Sequence, residues 1–103
     1  MAYCIALTTA SSEAEANTLA SALIEHKLAA CVSIHPIKSV YAWKGEVQRE
    51  QEWQLVIKTS AKQFEAVSEK VKALHSYEVP ELIAIRIEQG SPEYLSWLSA
   101  QLS

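Results

Sequence analysis

Aspartate is absent from this 103-residue chain; all twelve acidic residues are glutamates. That excludes a Ser/His/Asp triad, an Asp-built calcium loop and a paired-aspartate dyad. Glycine is nearly absent too. With only Gly45 and Gly90, the chain has no Gly-rich loop to cradle a phosphate. Arginine is confined to Arg49 and Arg86, both in strand-like segments, which leaves no Arg-bearing anion loop for phosphoryl chemistry. The two cysteines, Cys4 and Cys31, form no C-x-x-C pair and sit in apolar runs. They read as buried reduced thiols, and the flanks of Cys31 argue against a nucleophile. No apolar run is long enough to cross a membrane. Residues 1–9 lack the basic start of a signal peptide, so a cytoplasmic address is expected.

What is present suits one small α+β domain over residues 1–103. Half the residues are apolar and a fifth are charged, and a chain of this size buries roughly 65% of its unfolded surface. That supports one core and leaves little room for a deep pocket within a protomer. The net charge is −3 and the pI about 5.6. The lysines are scattered and offset by glutamates, so neither nucleic acid nor a membrane is an expected partner.

The pattern along the chain alternates strand and helix. Tyr3 to Thr8 is a compact apolar run, hence a buried strand. Ser12-Glu13-Ala14-Glu15 has the form of a capping box. Ala16, Leu19, Ala20, Leu23 and Ile24 then recur at helical spacing, ending near Lys27. Ala30 to Ile34 is a strand that Pro36 interrupts, which predicts an edge position or a bend. Extended structure resumes at Ile37 and reaches Trp43. Lys44-Gly45 is a turn, and the return strand runs from Glu46 to Thr59. Its first half, Gln48-Arg49-Glu50-Gln51-Glu52, is almost wholly polar. A hairpin this long must project beyond so small a core. Ser60-Ala61-Lys62-Gln63 is a second capping box, followed by Phe64, Val67, Val71 and Leu74 at helical spacing. Residues 75–80 form a loop, and Leu82 to Ile87 a strand. A last helix starts with Ser91 and Pro92 and carries Tyr94, Leu95, Leu98 and Leu102. The order βαββαβ plus a terminal helix is the ferredoxin-like pattern.

Two groups of residues bear on function. Tyr41 and Trp43 lie near the tip of the projecting hairpin, where one protomer has no core to offer. Aromatics there point to self-association. His75 closes the second helix and opens the loop to Glu81. It can be a histidine stabilised by the helix dipole. It can also join Glu78 and Glu81 around a metal, since imidazole and carboxylate suit Cu²⁺ or Zn²⁺. His26 reads as a helix-end residue, and His35 has no ligand-spaced neighbour.

Six motifs in order resemble the CutA divalent-cation tolerance family. They are Leu28-Ala29-Ala30-Cys31-Val32; Ser39-x-Tyr41-x-Trp43-x-Gly45; Glu52; Lys58-Thr59; His75-x-Tyr77-Glu78-Val79-Pro80-Glu81; and Tyr94-Leu95-x-Trp97. The resemblance covers nearly the whole chain. It implies a ferredoxin-like protomer in a cytoplasmic homotrimer similar to the PII signalling trimers, with hairpins pairing across subunits. It implies involvement in copper and other divalent-metal tolerance, and no catalytic reaction. Four positions depart from the family pattern: Ser76 replaces a usual Pro, Ala42 a common aromatic, Ser11 a common Pro, and Thr8 a Cys that ligates metal in some members.

Two expectations follow. The first is a metal-responsive trimer that binds Cu²⁺ or another divalent cation weakly through His75 and Glu81. Without a thiolate such a donor set is incomplete. The alternative is a PII-like sensor whose small ligand sits in an inter-subunit cleft lined by Tyr41, Trp43, Lys58, Tyr77 and Glu81.

Overall fold

The computed structural model describes residues 2–102. In chain order it contains β1 (Tyr3–Ala10), α1 (Glu13–Glu25), β2 (Cys31–Trp43), β3 (Glu46–Ser60), a short 3₁₀ turn (Ala61–Gln63), α2 (Phe64–Leu74), β4 (Ile83–Arg86) and α3 (Pro92–Gln101). The strands form one antiparallel sheet in the order β2-β3-β1-β4. The result is the expected α+β domain of four strands and three helices.

Alternation along the strands decides the faces. Cys4, Ala6, Thr8 and Ala10 of β1 are buried, and their register partners on β3 include Thr59, Ile57 and Leu55. Leu19 and Leu23 of α1 and Val67 and Val71 of α2 pack on this face and close the core. The other face carries Ile5 and Leu7 opposite Ile85 and Ile83. Ile83 and Ile85 remain about half exposed, at 51% and 52%.

Local chemistry sets the element ends. Ser12 Oγ accepts from the Glu15 N–H at 3.1 Å and caps α1. The reciprocal bond of a capping box is displaced by one residue, because the Glu15 carboxylate accepts from the Ser11 N–H at 2.9 Å. Lys27, expected at the helix end, lies beyond it at φ 57. The second expected capping box does not cap α2. Ser60 Oγ donates to the Gln63 side chain at 3.1 Å, and the chain makes a 3₁₀ turn before α2 begins. Ser91 caps α3 by accepting from the Tyr94 N–H at 3.2 Å, with Pro92 in the first turn, where its missing N–H costs nothing.

Pro36 does not break β2. The strand runs through it, because β2 lies at the sheet edge and Pro36 has no partner strand on its outer side. The β2–β3 ladder is paired from Cys31↔Lys58 to Trp43↔Glu46, joined by the two-residue turn Lys44-Gly45. Both turn residues have positive φ, 50 and 79, as the tight hairpin turn matched to strand twist requires. The hairpin makes the molecule long. Its extents are 45 × 25 × 21 Å and its radius of gyration 14.2 Å, against about 13 Å for a compact chain of this length.

Candidate functional site

The two-residue turn fixes which residues share a face of the hairpin. With Trp43 opposite Glu46, Tyr41 stands opposite Gln48, Ser39 opposite Glu50 and Ile37 opposite Glu52. The polar half of β3 therefore alternates. Gln48, Glu50 and Glu52 look to the same side as Tyr41 and Trp43, while Arg49 and Gln51 look away. The loop after α2 comes up against this side and leaves a groove of about 690 Å³. The hairpin gives it Ser39, Val40, Tyr41, Trp43, Gln48, Glu50 and Glu52; the loop gives it Tyr77, Glu78, Val79 and Glu81; and Thr9 at the end of β1 closes it.

Two tyrosine–carboxylate pairs order the groove. The Tyr41 hydroxyl donates to Glu50 Oε1 at 2.8 Å, and the Tyr77 hydroxyl donates to Glu52 Oε2 at 2.8 Å. Glu52 is only 6% exposed. The bond to Glu50 pushes the Tyr41 hydroxyl's pKa up, because the ionised phenol would face a carboxylate. Burial, then the bond to Glu52, push that of Tyr77 up strongly. Both phenols are thus held as hydrogen-bond donors.

His75 fastens the loop from behind. Its side chain is fully buried. Nε2 donates to the Thr9 carbonyl at 2.6 Å, and Nδ1 accepts from the Tyr77 N–H at 3.0 Å. These partners dictate a neutral ring with its proton on Nε2. The ring also lies 4.8 Å from that of Tyr77, centroid to centroid. Glu15 completes the fastening by accepting from the Ser76 N–H at 2.7 Å and from Ser11 through both its N–H and its hydroxyl. Burial raises the Glu15 pKa, but these donors outweigh it and bring it down to about 2. The carboxylate lies 3.9 Å from His75 Nδ1, which is occupied as an acceptor.

A divalent metal does not fit His75 as it stands. Both ring nitrogens are engaged, and among the described residues no group of three or more His, Cys, Asp or Glu side chains is arranged to hold a metal. Glu81 lies in the groove lining, which His75 does not join. Thr8 lies on the buried helix-covered face, with Oγ1 lacking a hydrogen-bond partner. Cys4 is buried as well, which raises its thiol pKa and keeps it protonated.

Of the cleft residues expected from the sequence, Tyr41, Trp43, Tyr77 and Glu81 come together in the groove. Lys58 does not join them; its ammonium donates to Ser33 Oγ at 3.0 Å further along the sheet. Glu50 and Glu52 join the lining without having been expected there, and Glu78, a candidate metal ligand from the sequence, lines the groove as well. The signal for Glu50 and Glu52 lay in the turn: once Lys44-Gly45 is read as a two-residue loop, counting back places both opposite the aromatic side of β2.

A small α+β domain with a projecting hairpin is a known architecture. The model of the CutA1 divalent ion tolerance protein family matches residues 4–101. The divalent-cation tolerance protein CutA of Thermus thermophilus is 50% identical over 95 residues, which cover 91% of this chain and 92% of that protein. The solved structure of the periplasmic divalent cation tolerance protein CutA from Archaeoglobus fulgidus superposes with a TM-score of 0.97 at 40% identity, covering 98% of this chain and 99% of that one. That of CutA1 from Oryza sativa does so with a TM-score of 0.97 at 41% identity, covering 100% and 95%. The chain belongs to the CutA divalent-cation tolerance family.

Proposed function

We propose that this chain is a ferredoxin-like protomer of a homotrimer, and that it serves divalent-cation tolerance as a binding protein, not an enzyme. Its binding site is the groove between hairpin and loop, which takes a small ligand. The observation that carries this reading is the groove itself. Its volume of about 690 Å³ lies within the range of roughly 300–1,000 Å³ typical of small-molecule sites. It is lined by aromatic side chains and by carboxylates already ordered by tyrosine hydroxyls. Assembly is supported by the half-exposed Ile83 and Ile85, by Trp43 at 58% exposure, and by the long outer edge of β2, which offers unpaired backbone groups to another chain. Closed symmetry satisfies every such edge at once.

The competing reading is copper or another divalent cation on His75 and Glu81. A metal on His75 must displace either the Nε2 bond to the Thr9 carbonyl or the bond that Nδ1 accepts from the Tyr77 N–H. Calorimetric titration of copper into wild type and His75→Ala separates the two. The groove reading predicts that any weak copper affinity is the same in both proteins. It also predicts that small molecules raise the melting temperature of the chelator-treated protein, as ligands of the native state must. Copper affinity lost in His75→Ala, with no small molecule stabilising the chelated protein, would overturn it.

A further inference from the structure

We infer that a second crevice, on the helix-covered side of the sheet, takes a small monocarboxylate with an apolar body. This site stands apart from the groove. The groove is closed by Thr9 near the end of β1, whereas the crevice opens at the start of that strand. There Tyr3 and Cys4 of β1 and Ala84 and Arg86 of β4 meet Ala61 and Phe64 at the entrance to α2. The crevice has a volume of about 350 Å³, at the lower end of the roughly 300–1,000 Å³ usual for small-molecule sites. Strand register sets its side. Arg86 stands opposite Cys4 and Ala84 opposite Ala6, and Cys4 and Ala6 are buried. Arg86 and Ala84 thus lie on the opposite side of β4 from Ile83 and Ile85, the pair offered to other copies.

Two observations define the ligand. The first is a charge without a counter-charge. Arg86 is the one ionised side chain in the lining, and among the described residues no carboxylate pairs with it. A guanidinium stays charged and offers a planar fork of donors that matches a carboxylate. The second is a buried thiol. Cys4 is 5% exposed and lines the crevice, and among the described residues its side chain has no hydrogen-bond partner. Burial raises its pKa, so it stays protonated and acts as a weak donor on a soft apolar surface. The rest of the lining is aromatic or small: Phe64 and Tyr3, with Ala61 and Ala84, whose short side chains leave the space open. A ligand suited to both parts has one negative charge for Arg86 and an apolar body for the remainder. A phosphate ester carries close to two charges and finds a single cation. An organic cation meets Arg86 as a like charge.

The test is titration of the assembled protein with benzoate in carboxylate-free buffer, followed by NMR. Benzamide has the same shape without the charge, and inorganic phosphate has the charge without the ring. The expected result is saturable benzoate binding at one per protomer, with shifts centred on Tyr3, Cys4 and Ala84. Benzamide and phosphate should bind at least about tenfold more weakly. Arg86→Gln should weaken benzoate binding about tenfold at unchanged oligomeric mass. Ala84→Leu, which fills the crevice and keeps the guanidinium, should abolish it. The site is independent of the groove, so its failure leaves that reading untouched. An absence of saturable benzoate binding would overturn the inference. So would benzoate binding unaltered in either variant, or benzamide or phosphate bound as tightly as benzoate. A carboxylate of a neighbouring copy seated on Arg86 in a crystal of the assembly would overturn it too, because the guanidinium would then be paired without a ligand.

Discussion

At the scale of single residues, the groove depends on a few side chains whose bonding is complete. His75 is the clearest case. As a residue type it suggests a metal ligand or a helix-end cation. In place it is a buried neutral ring that holds Thr9 and Tyr77 in register and so sets where the Tyr77 hydroxyl meets Glu52. Glu15 works on the same loop from the other side, through Ser76 and Ser11. Its pKa in the folded protein, about 2, lies below its ordinary value of 4.5, so the unfolded chain takes up this proton more readily than the folded one. The stabilisation is therefore complete above the ordinary value and is lost as pH falls from about 5 toward 2. Urea unfolding of wild type and Glu15→Gln across this range should show the variant less stable near neutrality and the gap closing as pH drops. A gap constant with pH would mean that the Ser11 and Ser76 bonds do not favour the ionised form.

At the scale of elements, the Lys44-Gly45 turn governs more than the hairpin tip. By fixing Trp43 opposite Glu46 it decides that Tyr41, Glu50 and Glu52 share a side. Gly45 sits at φ 79, and a Cβ there would meet nothing within 4 Å. The cost of Gly45→Ala is thus conformational and should be about 1 kcal/mol, seen as a lower urea midpoint with an unchanged slope. No loss would show that the turn can adopt another geometry. This turn also shows how far the sequence could be read. Strands, helices and the hairpin were legible because apolar spacing and turn residues are local signals. The capping box at Ser60 was misread, because Gln63 bonds the Ser60 hydroxyl and not the backbone, a choice the motif alone does not reveal. The approach of the 75–82 loop to the hairpin was legible only in part. Tyr77 and Glu52 are 25 residues apart, and their bond depends on how α2 packs. Lys58, expected in an inter-subunit cleft, donates to Ser33 within this chain, a side-chain choice that the spacing of residues does not reveal.

At the scale of the molecule, the account turns on assembly. A domain 45 Å long on a 25 × 21 Å cross-section leaves its hairpin without a core of its own. Ile83 and Ile85 remain half exposed on the sheet face away from α1 and α2. Burying them against other copies links folding to association, so apparent stability should rise with protein concentration. The most direct measurement is the solution mass by light scattering at micromolar concentration, for wild type and for Ile85→Glu. The account predicts a wild-type mass of about three times the protomer's 11.4 kDa, and a smaller species in the variant, which places a charge on the interface. A wild-type mass of one protomer would contradict the account.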